Sequence, residues 1–160
     1  MAKSKEEKTN VMRTLEQKKI PYTAHSYDPE GPIDGVSVAQ TLGQPPEQVF
    51  KTLVTKGTSG AYYVFDIPVA ENLDLKKAAK AVGEKSVAML PQKELLPLTG
   101  YVHGGCSPVG MKKQFPTVFH ETAVLYGTVC VSAGEIGHQV ECDPNALIAL
   151  LRAKTADVIV

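Results

Sequence analysis

The chain has 160 residues, 43% of them hydrophobic, with 17 basic and 17 acidic side chains and a formal net charge of zero. That length suits a single domain, residues 1–160, around one core. The charge balance excludes a bulk electrostatic nucleic-acid binder, so any contact with RNA must come from a local patch or a partner protein. No apolar run is long enough to span a membrane, and Met-Ala-Lys-Ser-Lys-Glu-Glu-Lys at the start lacks the apolar segment of a signal peptide. A cytoplasmic location is expected. Cys106, Cys130 and Cys142 are odd in number and widely spaced, which fits neither a disulfide framework nor paired zinc ligands.

In chain order, Ser4-Lys5-Glu6-Glu7 reads as a capping box that opens a helix to about Lys19, ended by Pro21. Tyr22 to Tyr27 reads as a strand with His25 and Tyr27 on one face. Ser37 is expected to cap a short helix through Leu42, closed by Gly43. Val49 to Thr55 and Ala61 to Val69 flank the turn Lys56-Gly57-Thr58-Ser59-Gly60 and predict a hairpin. Asp74 caps a helix that ends at Gly83. Ser86 to Met89 is a short strand, and Pro91 opens a helix expected to stop before Pro97. Thr117 to His120, Leu125 to Ser132 and His138 to Glu141 read as strands, the last two joined by a turn at 133–137. Asp143-Pro144 is an N-cap with proline at the first helical position, launching a helix to about Arg152. Hairpins argue against an all-parallel sheet. The fold expected is α/β of the α+β type: one curved, mixed, largely antiparallel sheet with helices outside.

Two features stand out for chemistry. Lys51 is a lone cation in Val49-Phe50-Lys51-Thr52-Leu53, where an unpaired ammonium facing inward would be expensive. Either it guards a sheet edge or it sits in a pocket to meet an oxyanion or phosphate. The second feature is the loop Gly100 to Gly110, with Gly104, Gly105, Cys106, Ser107 and Pro108 at its centre. Its glycines allow close approach of backbone to a ligand, and Pro108 holds Ser107 extended. The amides of Gly105, Cys106 and Ser107 could then converge on an anionic or carbonyl oxygen. Such a loop is expected at the surface. Tyr27 could place its hydroxyl in a cleft or serve as a core tyrosine. Ser132 and Gly134 lie in a second glycine-bearing turn. A Cys106–His103 pair is the one nucleophilic arrangement in sight, and a small residue filling the loop wall is the simpler reading of Cys106. His25, His120 and His138 show no metal-ligand spacing.

Taken together, Val49-Phe50-Lys51-Thr52-Leu53, Leu73-Asp74-Leu75-Lys76-Lys77, Gly100 to Gly110 and Val131-Ser132-Ala133-Gly134 occur in an order that resembles one family. It is the YbaK/EbsC group of trans-editing aminoacyl-tRNA deacylases, related to the editing domain of bacterial prolyl-tRNA synthetase. The resemblance covers nearly the whole chain and implies hydrolysis of misacylated tRNA, with Cys-tRNA(Pro) as the first candidate. In that branch the substrate's own thiol attacks its ester. The resemblance implies that Lys51 and Tyr27 are the catalytic side chains. Gly104, Gly105, Cys106, Ser107, Pro108, Ser132 and Gly134 would bind substrate. No metal and no cofactor is implied, and the partners are aminoacyl-tRNA and prolyl-tRNA synthetase. Gln139 departs from the family, whose cysteine branch often has an aspartate there; Glu141, on the same strand face, is the candidate replacement. Two alternatives stand: an Ala-tRNA(Pro) deacylase using an attacking water, and a non-catalytic module that binds tRNA or the synthetase.

Overall fold

A computed structural model describes residues 8–160. Eight strands and five α-helices follow in the order α1 (Asn10–Gln17), β1 (Tyr22–Ser26), α2 (Gly35–Leu42), β2 (Phe50–Gly57), β3 (Tyr62–Pro68), α3 (Leu75–Val82), β4 (Val87–Met89), α4 (Gln92–Thr99), β5 (Thr117–His120), β6 (Val129–Ser132), β7 (His138–Cys142), α5 (Pro144–Leu151) and β8 (Lys154–Ala156). Among the described residues, no helix is long and apolar enough to cross a membrane.

The strands form two sheets. One is antiparallel in the order β1–β7–β6; the other is mixed, in the order β4–β2–β3–β5–β8. In the mixed sheet β2 pairs antiparallel with β3 and β4, while β3–β5 and β5–β8 are parallel. The sheets meet where Val49 bridges Cys130. The expected single curved sheet is thus divided in two at this junction, because β2 and β6 touch through one bridge rather than a ladder.

Local chemistry sets the helix ends. Thr9 caps α1 by accepting from the Met12 amide; the expected capping box Ser4-Lys5-Glu6-Glu7 lies outside the described residues. Asp34, rather than Ser37, caps α2, and its carboxylate accepts from the Ser37 amide. Asp74 and Gly83 bound α3, and Asp143 caps α5. α4 runs through Pro97 to Thr99. Lys93 and Pro97 both lie on its exposed side, so the carbonyl that loses its N–H partner faces solvent. Between β5 and β6 the chain makes a 3-10 turn at Glu121–Leu125, so β6 starts at Val129 rather than Leu125.

Alternation along the strands builds the core. Phe65, Ile67 and Val118 pack under Ala78 and Ala79 of α3. The opposite face carries Val54 and Val64 against Cys106, Met111 and Phe115. Phe50 and Phe119 join Val11, Leu15, Val131, Val140 and Leu147 in the largest cluster. Each fully buried Phe or Ile contributes about 1.5–3 kcal/mol. Cys106, Met111 and Phe115 thus anchor the 100–115 segment on this face, while Val102, His103, Gly110 and Lys112 to Gln114 stay exposed. Residues 105–109 are buried and Ser107 is 0% exposed, which corrects the expectation of a surface loop for its centre, though not for its flanks.

Candidate active site

The edge of β2 explains where a cleft can form. The Val49 carbonyl accepts from the Val69 amide, so residues 49, 51, 53 and 55 turn their backbone polar groups toward β3. The Val54 carbonyl accepts from the Leu90 amide, so the even positions face the other way. Between the Val49–Cys130 bridge and the β4 ladder, Thr52 then presents its amide and carbonyl to an open edge. A cleft of about 320 Å³ occupies this gap. Its walls are β2, the start of α2, the 100–110 loop and the β6–β7 turn.

Of the residues singled out in the sequence, Tyr27, Lys51, Gly104, Cys106 and Ser132 line this cleft together. Lys51 is half-buried and, among the described residues, its ammonium has no ion-pair partner within reach. Burial lowers its pKa, partly offset by the nearby Glu71 carboxylate. A desolvated, unpaired cation of this kind is poised for an anion supplied from outside. The Tyr27 amide donates to the Gly137 carbonyl at 2.9 Å, which ties the end of β1 to the second turn. Ser132 accepts from the Gly134 amide, which leaves its own hydroxyl hydrogen available.

Gly105, Ser107, Pro108 and Gly134 stand behind the cleft rather than on its wall. The Gly105 amide donates to the Val102 carbonyl at 3.0 Å, so it is not free for a substrate oxygen. The Ser107 hydroxyl accepts from the Val109 amide within a buried turn. Pro108 is buried beside it. Gly134 has φ +94°, and a Cβ there would press on the Tyr101 ring at 3.0 Å. The Tyr101 hydroxyl in turn donates to the Val109 carbonyl at 2.5 Å, fastening the central loop from beneath. Of the three amides expected to converge, only that of Cys106 belongs to a residue on the wall.

Cys106 and His103 both line the cleft, with no hydrogen bond joining them. Burial, aided by the charge of Asp66, pushes the Cys106 thiol up to about 12, the reverse of an activated nucleophile. Gln139 lines the cleft, its amide paired reciprocally with that of Gln44 at 2.7 and 3.2 Å. Glu141 does not take over there. Its carboxylate accepts from the Thr128 hydroxyl at 2.5 Å and pairs with His25 at 2.8 Å, and these two contacts, Thr128 first, lower its pKa. Cys130, His25 and Glu141 converge within 4.8 Å, although no spacing in the sequence joins them.

Sequence reasoning missed Thr52 and Asp66. Thr52 lines the cleft, and its hydroxyl donates to the fully buried Asp66 carboxyl at 2.6 Å. The available signal was an acid inside the apolar strand Tyr62-Tyr63-Val64-Phe65-Asp66-Ile67.

Residues 34–150 match the aminoacyl-tRNA editing domain model. The chain belongs to the aminoacyl-tRNA editing domain family. It is 47% identical to the Enterococcus faecalis protein named "Putative Cys-tRNA(Pro)/Cys-tRNA(Cys) deacylase EbsC", over 99% of this chain and 98% of the relative. A solved "putative trans-editing enzyme for prolyl tRNA synthetase" aligns with a TM-score of 0.81 at 28% identity, covering 94% of both chains. The structure of a hypothetical protein aligns with a TM-score of 0.86 at 22% identity, over 94% of this chain and 99% of the other, and shares the fold. As an editing domain the protein is an aminoacyl-tRNA deacylase. Lys51 and the 100–110 loop lie inside the matched region, and Tyr27 lies just before it.

Proposed function

We propose that this editing domain, taken as the whole chain 1–160, hydrolyses Cys-tRNA(Pro) in the cytoplasm and works beside prolyl-tRNA synthetase. The observation that carries the reading is the half-buried Lys51 ammonium on the wall of the cleft, without an ion-pair partner among the described residues. The EbsC relative, named for Cys-tRNA(Pro) and Cys-tRNA(Cys), supports the choice of amino acid. A cleft of about 320 Å³ has room for a small aminoacyl group and part of the adjoining ribose. A synthetase pocket cannot strongly reject an amino acid similar to or smaller than its own, and this creates the need for editing.

In this mechanism Lys51 holds a phosphate of the terminal nucleotide and fixes the ester against the 100–110 loop. The substrate thiol gives up its proton to water, and its sulfur forms a bond to the ester carbonyl carbon. The carbon–oxygen bond to the ribose then breaks, and the ribose oxygen takes a proton. Water opens the resulting thiolactone to free cysteine. The protein supplies position and charge rather than a nucleophile. The Cys106 amide, with Lys51 nearby, stabilises the developing oxyanion; one such donor is worth about 3 kcal/mol. The zero net charge fits a protein that gains its access to tRNA by riding on a partner.

The test is deacylation of Cys-, Ala- and Pro-charged tRNA(Pro) by the wild type and by Lys51→Ala. Turnover of the cysteinyl ester alone, lost in the folded variant, is the expected result. Preference for the alanyl ester would replace the thiol by a water. No turnover of any ester would leave a binding module.

A further inference from the structure

Among the described residues, Asp66 alone carries a buried side-chain polar atom without a hydrogen-bond partner. It sits mid-strand in β3 opposite Thr52 of β2 and Phe119 of β5, with no exposure to water. Its Oδ1 is bonded to the Thr52 hydroxyl, while its Oδ2 is buried with no partner among the described residues. Leaving a carboxylate oxygen unpaired inside a protein is costly. The described groups around it offer no compensation. β5 brings Phe119, β2 brings the neutral Thr52, and the central loop brings the Cys106 thiol, itself held neutral by burial. Lys51, one residue from Thr52, feels Glu71 instead. Burial accordingly pushes the Asp66 carboxyl up to about 7, and the Thr52 bond lowers it only in part.

The proton has a consequence for the cleft, because Thr52 stands between Asp66 and the open space. A hydroxyl has one hydrogen to give. When Asp66 is ionised it can only accept, so Thr52 spends its hydrogen inward and shows the cleft a lone pair. When Asp66 carries its proton on Oδ1, it donates to Thr52, and the Thr52 hydrogen is released toward the cleft. Oδ2 is then a neutral carbonyl oxygen, the form least penalised by burial. We infer that Asp66 is a positioning residue for the deacylation site: its proton sets whether Thr52 offers a donor or an acceptor, and turnover uses the donor form. The donor serves an oxygen of the ester, whose carbonyl gains negative charge as it is attacked. This inference rests on the deacylase reading.

The experiment compares single-turnover deacylation from pH 5.5 to 8.5 for the wild type, Asp66→Asn, Thr52→Val and Thr52→Ser on one charged tRNA. Using one substrate removes the substrate's own titration from the comparison. Asn cannot ionise, so the ratio of Asp66→Asn to wild-type rate should rise about tenfold between pH 6 and pH 8. Thr52→Val should lower the rate and abolish any further effect of Asp66→Asn in the double variant. Thr52→Ser, which keeps the hydroxyl, should restore both the rate and the pH dependence. Carboxyl carbon NMR of the free protein should place the Asp66 titration near neutrality, with the Thr52 methyl shifting at the same midpoint. A constant Asp66→Asn ratio across pH, or an Asp66 titration below pH 5, overturns the proposal. An inactive wild type overturns the deacylase reading and the positioning role with it. The NMR titration then still decides whether the proton exchange between Asp66 and Thr52 exists.

Discussion

Gly105 and Ile136 meet backbone to backbone: a Cβ at position 105 would lie 3.0 Å from the Ile136 nitrogen and 3.2 Å from the Glu135 carbonyl carbon. The two glycine-bearing segments that flank the cleft are thus pressed together at this point. The β6–β7 turn has little room to yield. His138 donates to Glu135 and Ala133 to His138 through their amides, and Gly134 and Gly137 hold φ of +94° and +101°. Gly105→Ala should therefore separate the loops, costing about 1–3 kcal/mol as an overpacked site and lowering turnover as the cleft wall shifts. Ser107→Ala leaves the buried Val109 amide without its acceptor, a comparable cost of about 1–3 kcal/mol, but it moves no wall of the cleft and should be milder in turnover. Melting curves and single-turnover deacylation of both variants check this. A Ser107→Ala protein that melts no earlier than Gly105→Ala yet loses more turnover would give the Ser107 hydroxyl a role in the reaction.

Lys51 carries opposite signs for stability and function. Its desolvated ammonium has no ion-pair partner among the described residues, so it weakens the fold that it serves. A depressed folded pKa means that stability falls as pH drops through that pKa, so the cost is present throughout the neutral range. Lys51→Met, which keeps the length of the side chain, should lose deacylation while its melting temperature at pH 7 is equal to or above that of the wild type. A lower melting temperature would mean that Lys51 is held by a favourable interaction and is not a free cation.

What the sequence showed follows from how local each signal is. Asp74 with Gly83 and Asp143 with Pro144 bound their helices, because capping is a matter of three or four residues. The β2–β3 hairpin and the position of Lys51 were likewise legible. β8 was not: Lys154–Ala156 is three residues long, and only its parallel pairing with β5 makes it a strand. The Thr52–Asp66 contact and the polar face of His25, Cys130 and Glu141 depend on register across strands that are distant in sequence. The glycines of the central loop were read as room for ligand, but the space at Gly105 is filled by the protein's own second turn.

All three cysteines are buried, and burial pushes each thiol up to about 12; Asp66 adds to this at Cys106, Glu141 with Cys142 at Cys130, and Asp143 with Glu141 at Cys142. At neutral pH the thiolate fraction should be on the order of a thousandfold below that of a free cysteine. Native protein should resist iodoacetamide at pH 7.5, react fully once denatured, and keep its deacylase activity through the native treatment. Rapid native alkylation with loss of activity would bring Cys106 back as a nucleophile.

Asp66 should leave its mark on stability as well as on turnover. Its folded pKa of about 7 lies above the ordinary 3.8, so the unfolded chain releases this proton first as pH rises. Stability from this group is fully present below pH 3.8 and is lost progressively until the folded carboxyl ionises near pH 7. For a fully buried group the loss is on the order of a few kcal/mol, enough to lower the melting temperature of a domain this size by several degrees. Asp66→Asn keeps the shape and cannot ionise. Its melting temperature should therefore gain on the wild type between pH 4 and pH 7, and the difference should level off above pH 8. Parallel melting curves of the two proteins across that range are the measurement. If the two curves keep a constant separation, Asp66 has its ordinary pKa in the fold, and its buried Oδ2 has a partner that the described contacts do not include.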